Sequence, residues 1–321
     1  MKIHELVDEL YEAFADRMGA PLAASARDLP RALRLAPASA PWSRVFPHEI
    51  TLGAPALLAE AMSGVPAAIT RDAVLAHMLA VIDSHGTARI EDERIEASPQ
   101  VFAVLGHARR ERDKTMARLF CRTPLADTDF RAADMMTIRA VRRERAILRS
   151  SHPVDLDLYE QTLLDKRCSS VLASVALARI AGMGARRCRA VRATLESISL
   201  GLQIYDDVVD WEADMQRGGA WAMCLMRGAM EPPYSGKHAT RRTNARAEVL
   251  ASGVLERMLT RSRIHLRAAR RRAWALGARR LSSWAAAQEA RLESLVAAEA
   301  DSAGYVVRAH ARGAASGGSS S

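Results

Sequence analysis

Residues 201–214 read Gly-Leu-Gln-Ile-Tyr-Asp-Asp-Val-Val-Asp-Trp-Glu-Ala-Asp, with Asp206, Asp207, Asp210, Glu212 and Asp214 directly behind an apolar run. Positions four apart stack on one face of an α-helix, so Asp206, Asp210 and Asp214 form one carboxylate row, with Gln203 a turn before it. Like charges stacked in this way cost an isolated helix about 0.2–0.5 kcal/mol per pair. Such a row either stands in open solvent or is neutralised by cations. Leu200, Leu202, Ile204, Val208 and Val209 make this helix too apolar to face water on all sides. The carboxylates are therefore expected to face a cavity or metal ions. Oxygen-only ligands favour Mg²⁺, which binds through one or two carboxylates while keeping waters and taking phosphate oxygens. Asp206, Asp207, Asp210 and Asp214 are the metal-ligand candidates of this stretch.

Working back along the chain, a helix beginning near Thr70 and running to about Ser98-Pro99 carries Asp83, Thr87 and Glu91 at i, i+4 and i+8, again one helical face. Two readings of this segment stand side by side. Either the three residues are metal ligands, or Ser84-His85-Gly86 is a turn and the acids from Glu91 to Glu96 are a solvated cluster. Gly86 inside a helix costs roughly 1 kcal/mol relative to alanine, tolerable where something must approach the backbone closely. His77 and His85 read as ordinary polar residues.

Leu-Gln-Ile-Tyr-Asp-Asp-Val-Val-Asp resembles the second aspartate-rich motif of the trans-isoprenyl diphosphate synthases, and Asp206, Asp207, Asp210 and Asp214 also fit a relaxed metal motif of class I terpene synthases. Upstream, Leu-Leu-Asp-Lys-Arg-Cys-Ser-Ser-Val-Leu-Ala-Ser is similar to the Lys-Thr-x-x-Leu segment that precedes the second motif in the former family, with Lys166 the matching lysine. The resemblance implies an all-α, single-domain helical bundle of the class I isoprenoid synthase type with a central active-site cavity. In such enzymes facing carboxylate clusters hold Mg²⁺ on the diphosphate of an allylic substrate. It further implies that Asp206, Asp210 and Lys166 are catalytic and that Lys166, Arg217 and Gln203 contact the diphosphate. Asp83, Thr87 and Glu91 take the place of the first motif, whose usual Asp-Asp-x-x-Asp is missing. A homodimer is implied by the same resemblance.

Three fates of the ionised substrate separate the possible activities: extension by a homoallylic diphosphate, internal cyclisation, or coupling of two allylic units. The Gly-Lys-Arg element that elongating enzymes use for the second diphosphate is not found, and the altered first motif suits terpene synthases. The sequence therefore favours a terpene synthase over a prenyltransferase, the latter including squalene- or phytoene-synthase-like coupling. Against cyclisation stands an aromatic content of 5%, with Tyr159, Tyr205 and Trp211 the only aromatic residues placed near the cavity to face a carbocation. A non-catalytic relative that binds prenyl diphosphate is the remaining alternative within the resemblance.

The rest of the 321 residues sets bounds. Ala, Leu and Arg abound, 49% of residues are hydrophobic, and no sustained strand-like alternation occurs, which favours helices. The domain plan is an N-terminal helix, a Pro-rich connector and a short helix over 1–69, a catalytic bundle over 70–304 and a disordered tail over 305–321. One long helix is expected over 155–181, a second from Ala185 to Gln216, and two C-terminal helices over 245–277 and 279–300. Glu231 to Arg242, rich in turn formers and cations, reads as a flap. A net charge of +9 suits an anionic partner, yet no zinc-finger, RNP or P-loop signature accompanies it, so nucleic acid is set aside. The arginine face of Arg261, Arg263, Arg267, Arg270, Arg271 and Arg272 is solvated or touches an anionic membrane surface. Four scattered cysteines without a Cys-x-x-Cys pair, no signal peptide and no transmembrane run point to a soluble, cytoplasmic protein.

Overall fold

A computed structural model describes residues 2–37, 40–91, 95–123, 127–229 and 242–294, the side chains of 127–129 and 242–244 excepted. Every regular element among them is helical. In order these are α1 (Ile3–Asp16), α2 (Ala20–Arg27), α3 (Leu29–Ala32), a 3₁₀ turn (Trp42–Arg44), α4 (Ile50–Ala59), α5 (Ala67–Glu91), α6 (Pro99–Phe120), α7 (Asp127–Ser150), α8 (Leu156–Lys166), α9 (Leu172–Ile180), α10 (Ala185–Val209), α11 (Trp211–Gln216), α12 (Trp221–Ala229), α13 (Arg242–Ala251) and α14 (Val254–Leu276). A last helix starts at 279 and is described to 294. The all-α expectation holds. The flap and the tail lie outside the described residues, apart from Arg242 at the start of α13.

The chain gathers into two compact units, one of Met1–Thr137, Arg167–Leu195 and Arg272–Leu281, the other of Ile138–Lys166, Glu196–Arg271 and the segment from Ser282 onward. In the first unit α5 is the central element: Val74, Met78, Leu79 and Ile82 are buried along it. The helix runs unbroken through Ser84-His85-Gly86, so the turn reading of that segment falls away. Gly86 is the position that permits this packing. A Cβ there would come within 2.7 Å of Leu105 on α6, so the close approach expected at this glycine is a neighbouring helix. His77, 7% exposed, has its two ring nitrogens 3.0 Å from the carbonyls of Ser170 and Thr51, and burial pushes its pKa down. The connector after α1 contains two short helices, and Trp42 packs it down, with ring centroids 5.5 Å from Tyr11 and 6.3 Å from Phe46.

The second unit is built on a core of Ile147, Tyr159, Leu163, Leu200, Ile204, Trp211, Trp221, Met226, Val249 and Met258. α10 crosses α14 closely. Gly201 on α10 has no room for a side chain, since a Cβ would stand 2.7 Å from Leu266, and the Ser262 hydroxyl donates to the Gly201 carbonyl at 2.6 Å. Three expected long helices are interrupted. The helix after Pro153 ends at Lys166 and restarts at Leu172. The one after Ala185 bends at Asp210 (φ −95°, ψ 3°). The C-terminal one breaks at Ser252-Gly253, where Gly253 has φ 67°, a left-handed conformation that glycine adopts without cost.

The arginines of α14 are largely committed within the protein. Arg261 meets Glu160 at 2.6 Å, Arg267 meets Glu289 at 2.5 Å and Glu293 at 3.3 Å, Arg263 lies 3.7 Å from Glu293, and Arg270 lies 3.0 Å from Glu289. The basic stripe read from the sequence is thus in large part neutralised by carboxylates that the linear pattern did not reveal. Among the described residues no helix is long and apolar enough to cross a membrane, and Cys121, Cys168, Cys188 and Cys224 are free thiols.

Glu160 shows what such a pairing does. Burial alone would raise its carboxyl, but His265 and Arg261 outweigh burial and hold the pKa down at about 2 instead of 4.5. A depressed carboxyl contributes stability that is complete above pH 4.5 and is lost as the pH falls through about 2. Arg261→Ala is therefore expected to cost about 2 kcal/mol at neutral pH and to raise the pH midpoint of acid unfolding. Equal acid midpoints in the two proteins would show the pair to be inert.

Candidate functional site

The acidic stretch sits where α10 gives way to α11, and its residues divide into two sets by helical phase. Asp206 and Asp210 are exposed, and the bend leaves the backbone ladder intact, with the Asp210 N–H donating to the Asp206 carbonyl at 2.9 Å and the Asp214 N–H to that of Asp210 at 2.8 Å. The row read from the sequence is therefore present along one face. Asp214 pairs with Arg217 at 3.0 Å, so Arg217 is held against the end of the row.

Asp207 lies off the row and is 9% exposed. The Tyr159 hydroxyl donates to its Oδ2 at 2.7 Å and the Gln203 amide to its Oδ1 at 2.9 Å. Burial raises this carboxyl to about 7, against the opposing pull of the two hydrogen bonds and the Lys166 charge. With both oxygens engaged by these hydrogen bonds, Asp207 is set apart from the exposed Asp206 and Asp210. Gln203, read as a diphosphate contact, spends its amide on Asp207. The helical period carries the signal: Asp207 sits about 100° around from Asp206, on the side of buried Ile204 and Leu200.

Lys166 closes α8 and its ammonium meets Glu144 of α7 at 2.7 Å and 2.5 Å. The Trp221 indole N–H donates to the same carboxylate at 3.1 Å. Glu144 was invisible in the sequence, one acid among the arginines of 139–149. Lys166 also acts electrostatically on Asp207, so the two motifs that carry the resemblance share one polar patch. Of the aromatic residues assigned to a cavity, Tyr159 (0% exposed) and Trp211 (5% exposed) are core residues, while the half-buried Tyr205 packs against Leu259, Leu266 and Leu292.

Asp83, in the first unit, is 6% exposed. Arg109 of α6 donates to both of its oxygens at 3.0 Å, and an Arg112 nitrogen lies 3.7 Å away. Arg112 also binds Asp113 at 2.8 Å and Asp134 at 2.7 Å and lies 5.1 Å over the Phe130 ring. Thr87 is half-buried and Glu91 exposed along the same face. No group of three or more His, Cys, Asp or Glu side chains among the described residues is arranged to hold a metal ion. Asp206 and Asp210 still fit Mg²⁺ chemistry, which needs only one or two carboxylates when phosphate oxygens and water complete the shell.

Similarity to solved structures spans nearly the whole chain. The polyprenyl synthetase of Streptomyces coelicolor A3(2) matches with a TM-score of 0.67 at 13% identity, over 88% of this chain and 97% of that one. The geranylgeranyl pyrophosphate synthetase of the archaeon Geoglobus acetivorans matches with a TM-score of 0.66 at 12% identity, over 89% and 97%. The fold is that of the trans-isoprenyl diphosphate synthases. A third structure with this isoprenyl synthase fold, the polyprenyl synthase of Caulobacter crescentus CB15 in complex with calcium and isoprenyl diphosphate, has a TM-score of 0.53 at 16% identity, over 88% and 97%. No family model matches the sequence, and no curated protein does.

Proposed function

We propose that this protein binds an isoprenyl diphosphate together with a divalent cation and acts as a trans-prenyltransferase. The observation that carries the proposal is the near full-length likeness of the fold to polyprenyl and geranylgeranyl synthases. The preference for a terpene synthase rested on an altered first motif and a missing Gly-Lys-Arg element, with the low aromatic content against it. Tyr159 and Trp211 lie in the core, which adds to that argument against a cyclase, and the likeness to polyprenyl and geranylgeranyl synthases favours chain extension.

In this reading Asp206 and Asp210 would hold the cation, which would supply positive charge to the departing diphosphate. Lys166, oriented by Glu144, offers ammonium donors to the same anion. Arg217 at the end of the row adds charge. The allylic carbon–oxygen bond breaks with its electron pair leaving on diphosphate, a homoallylic alkene forms the new carbon–carbon bond, and the resulting cation loses a proton.

Incubation with Mg²⁺ and geranyl, farnesyl or geranylgeranyl diphosphate, each with and without isopentenyl diphosphate, is expected to give a longer prenyl diphosphate only when both substrates are present. A hydrocarbon from one allylic substrate alone would overturn the transferase reading in favour of the cyclase. The pairing of Asp83 with Arg109 favours one further reading, a non-catalytic binder, and stoichiometric diphosphate binding without any product would identify it.

A further inference from the structure

We infer that the Asp83 face of α5 does not hold a metal ion: the cation at that position is built into the chain, as the guanidiniums of Arg109 and Arg112. The inference deepens the proposed function and rests on it, because that reading places the divalent cation of the substrate at Asp206 and Asp210.

The physical argument is competition for one carboxylate. Arg109 takes both Asp83 oxygens at 3.0 Å in the two-pronged geometry that makes arginine–carboxylate pairs strong. Asp83 is 6% exposed and Arg112 5% exposed, so the charge of Arg112, 3.7 Å away, is screened little by water, while Arg109 reaches Asp83 from the more exposed side. A metal ion would have to displace both Arg109 hydrogen bonds and come to rest beside the buried Arg112 guanidinium, 3.7 Å from Asp83, whose charge repels it. It would also have to shed its own water, which Mg²⁺ does reluctantly.

Arg112 cannot swing aside to make room. Asp113, Asp134 and the Phe130 ring fix it on three sides, joining α5, α6 and α7 within the first unit. Thr87 and Glu91, one and two turns on, have no second carboxylate of their helical row to share a cation with once Asp83 is taken. Charge at α5 is thus a fixed property of the polypeptide, independent of metal supply.

The test is electron paramagnetic resonance of bound Mn²⁺ on the full chain, with and without inorganic pyrophosphate. It compares the unaltered protein, Asp83→Asn and Asp206→Asn/Asp210→Asn, with melting temperatures recorded at zero and saturating Mg²⁺. Asp83→Asn is expected to keep the bound Mn²⁺ of the unaltered protein and to melt lower by the same amount with and without Mg²⁺, as for a lost ion pair. A metal ligand would instead show a Mg²⁺-dependent difference. The Asp206/Asp210 variant is expected to lose its Mn²⁺ while melting normally. Loss of bound Mn²⁺ in Asp83→Asn would overturn the inference and leave the proposed function standing. If the unaltered protein bound no Mn²⁺ even with pyrophosphate, the cation-dependent function would fall, and the Mg²⁺-independent melting shift of Asp83→Asn would still support the arginine lock.

Discussion

Glu144→Ala is expected to destabilise the protein by about 1.5–3 kcal/mol, the loss of hydrogen bonds made to a charged, half-buried partner. Glu144 accepts hydrogen bonds from two groups that have little water to turn to. Lys166 is 21% exposed by its side chain, and Trp221 is 4% exposed. With the carboxylate gone, the ammonium loses its close counter-ion and is left with the electrostatic pull of Asp207. Glu144→Gln keeps an acceptor for the indole and is expected to cost less. The double variant Glu144→Leu/Lys166→Met, which removes both charges at similar volume, is expected to recover most of the loss, as buried pairs replaced by apolar residues commonly do. Urea unfolding of the four proteins measures this. A Glu144→Ala loss below about 0.5 kcal/mol, the range of surface substitutions, would show that Lys166 finds water and that the patch is not organised by Glu144.

Asp206→Asn/Asp210→Asn is expected to do the reverse, removing function while sparing the fold. Both carboxylates are exposed, and their mutual repulsion on one helical face is relieved by amides, so stability should hold or rise by a few tenths, about 0.2–0.5 kcal/mol. A cation on a phosphoryl oxygen supplies several kcal/mol of charge stabilisation, and each 1.36 kcal/mol is tenfold in rate. The prenyl-transfer rate should therefore fall by at least about a hundredfold. Product formation by gas chromatography and mass spectrometry, with thermal melts on the same samples, separates the two effects. Turnover within a few fold of the unaltered protein would remove the row from the reaction.

How far the sequence reached can be judged from individual residues. The helical period placed Asp206, Asp210 and Asp214 on one face, and it did so because four-residue stacking is a local property that survives even the bend at Asp210. The same period put Asp207 on the buried side, yet residue type invited grouping it with its neighbours, and only the Tyr159 hydroxyl and Gln203 amide reveal that it is a hydrogen-bonded core acid. Lys166 was singled out by motif, whereas its partner Glu144 lies 22 positions earlier on α7 and carries no local mark.

By itself, then, the sequence determined that the chain is helical and where its acidic row and its motif lysine lie, since composition and periodicity act over a few turns. Tertiary structure decided which charges are available. Asp83 meets Arg109 across 26 positions and Glu160 meets Arg261 across 101, and pairings between distant helices follow from packing that no local pattern encodes. The arginines of α6 and α14, equally basic on paper, become internal counter-ions because buried carboxylates face them. Burial likewise sets what an acid does: the buried Asp207 is raised to about 7, while Asp206, one residue away, stands exposed.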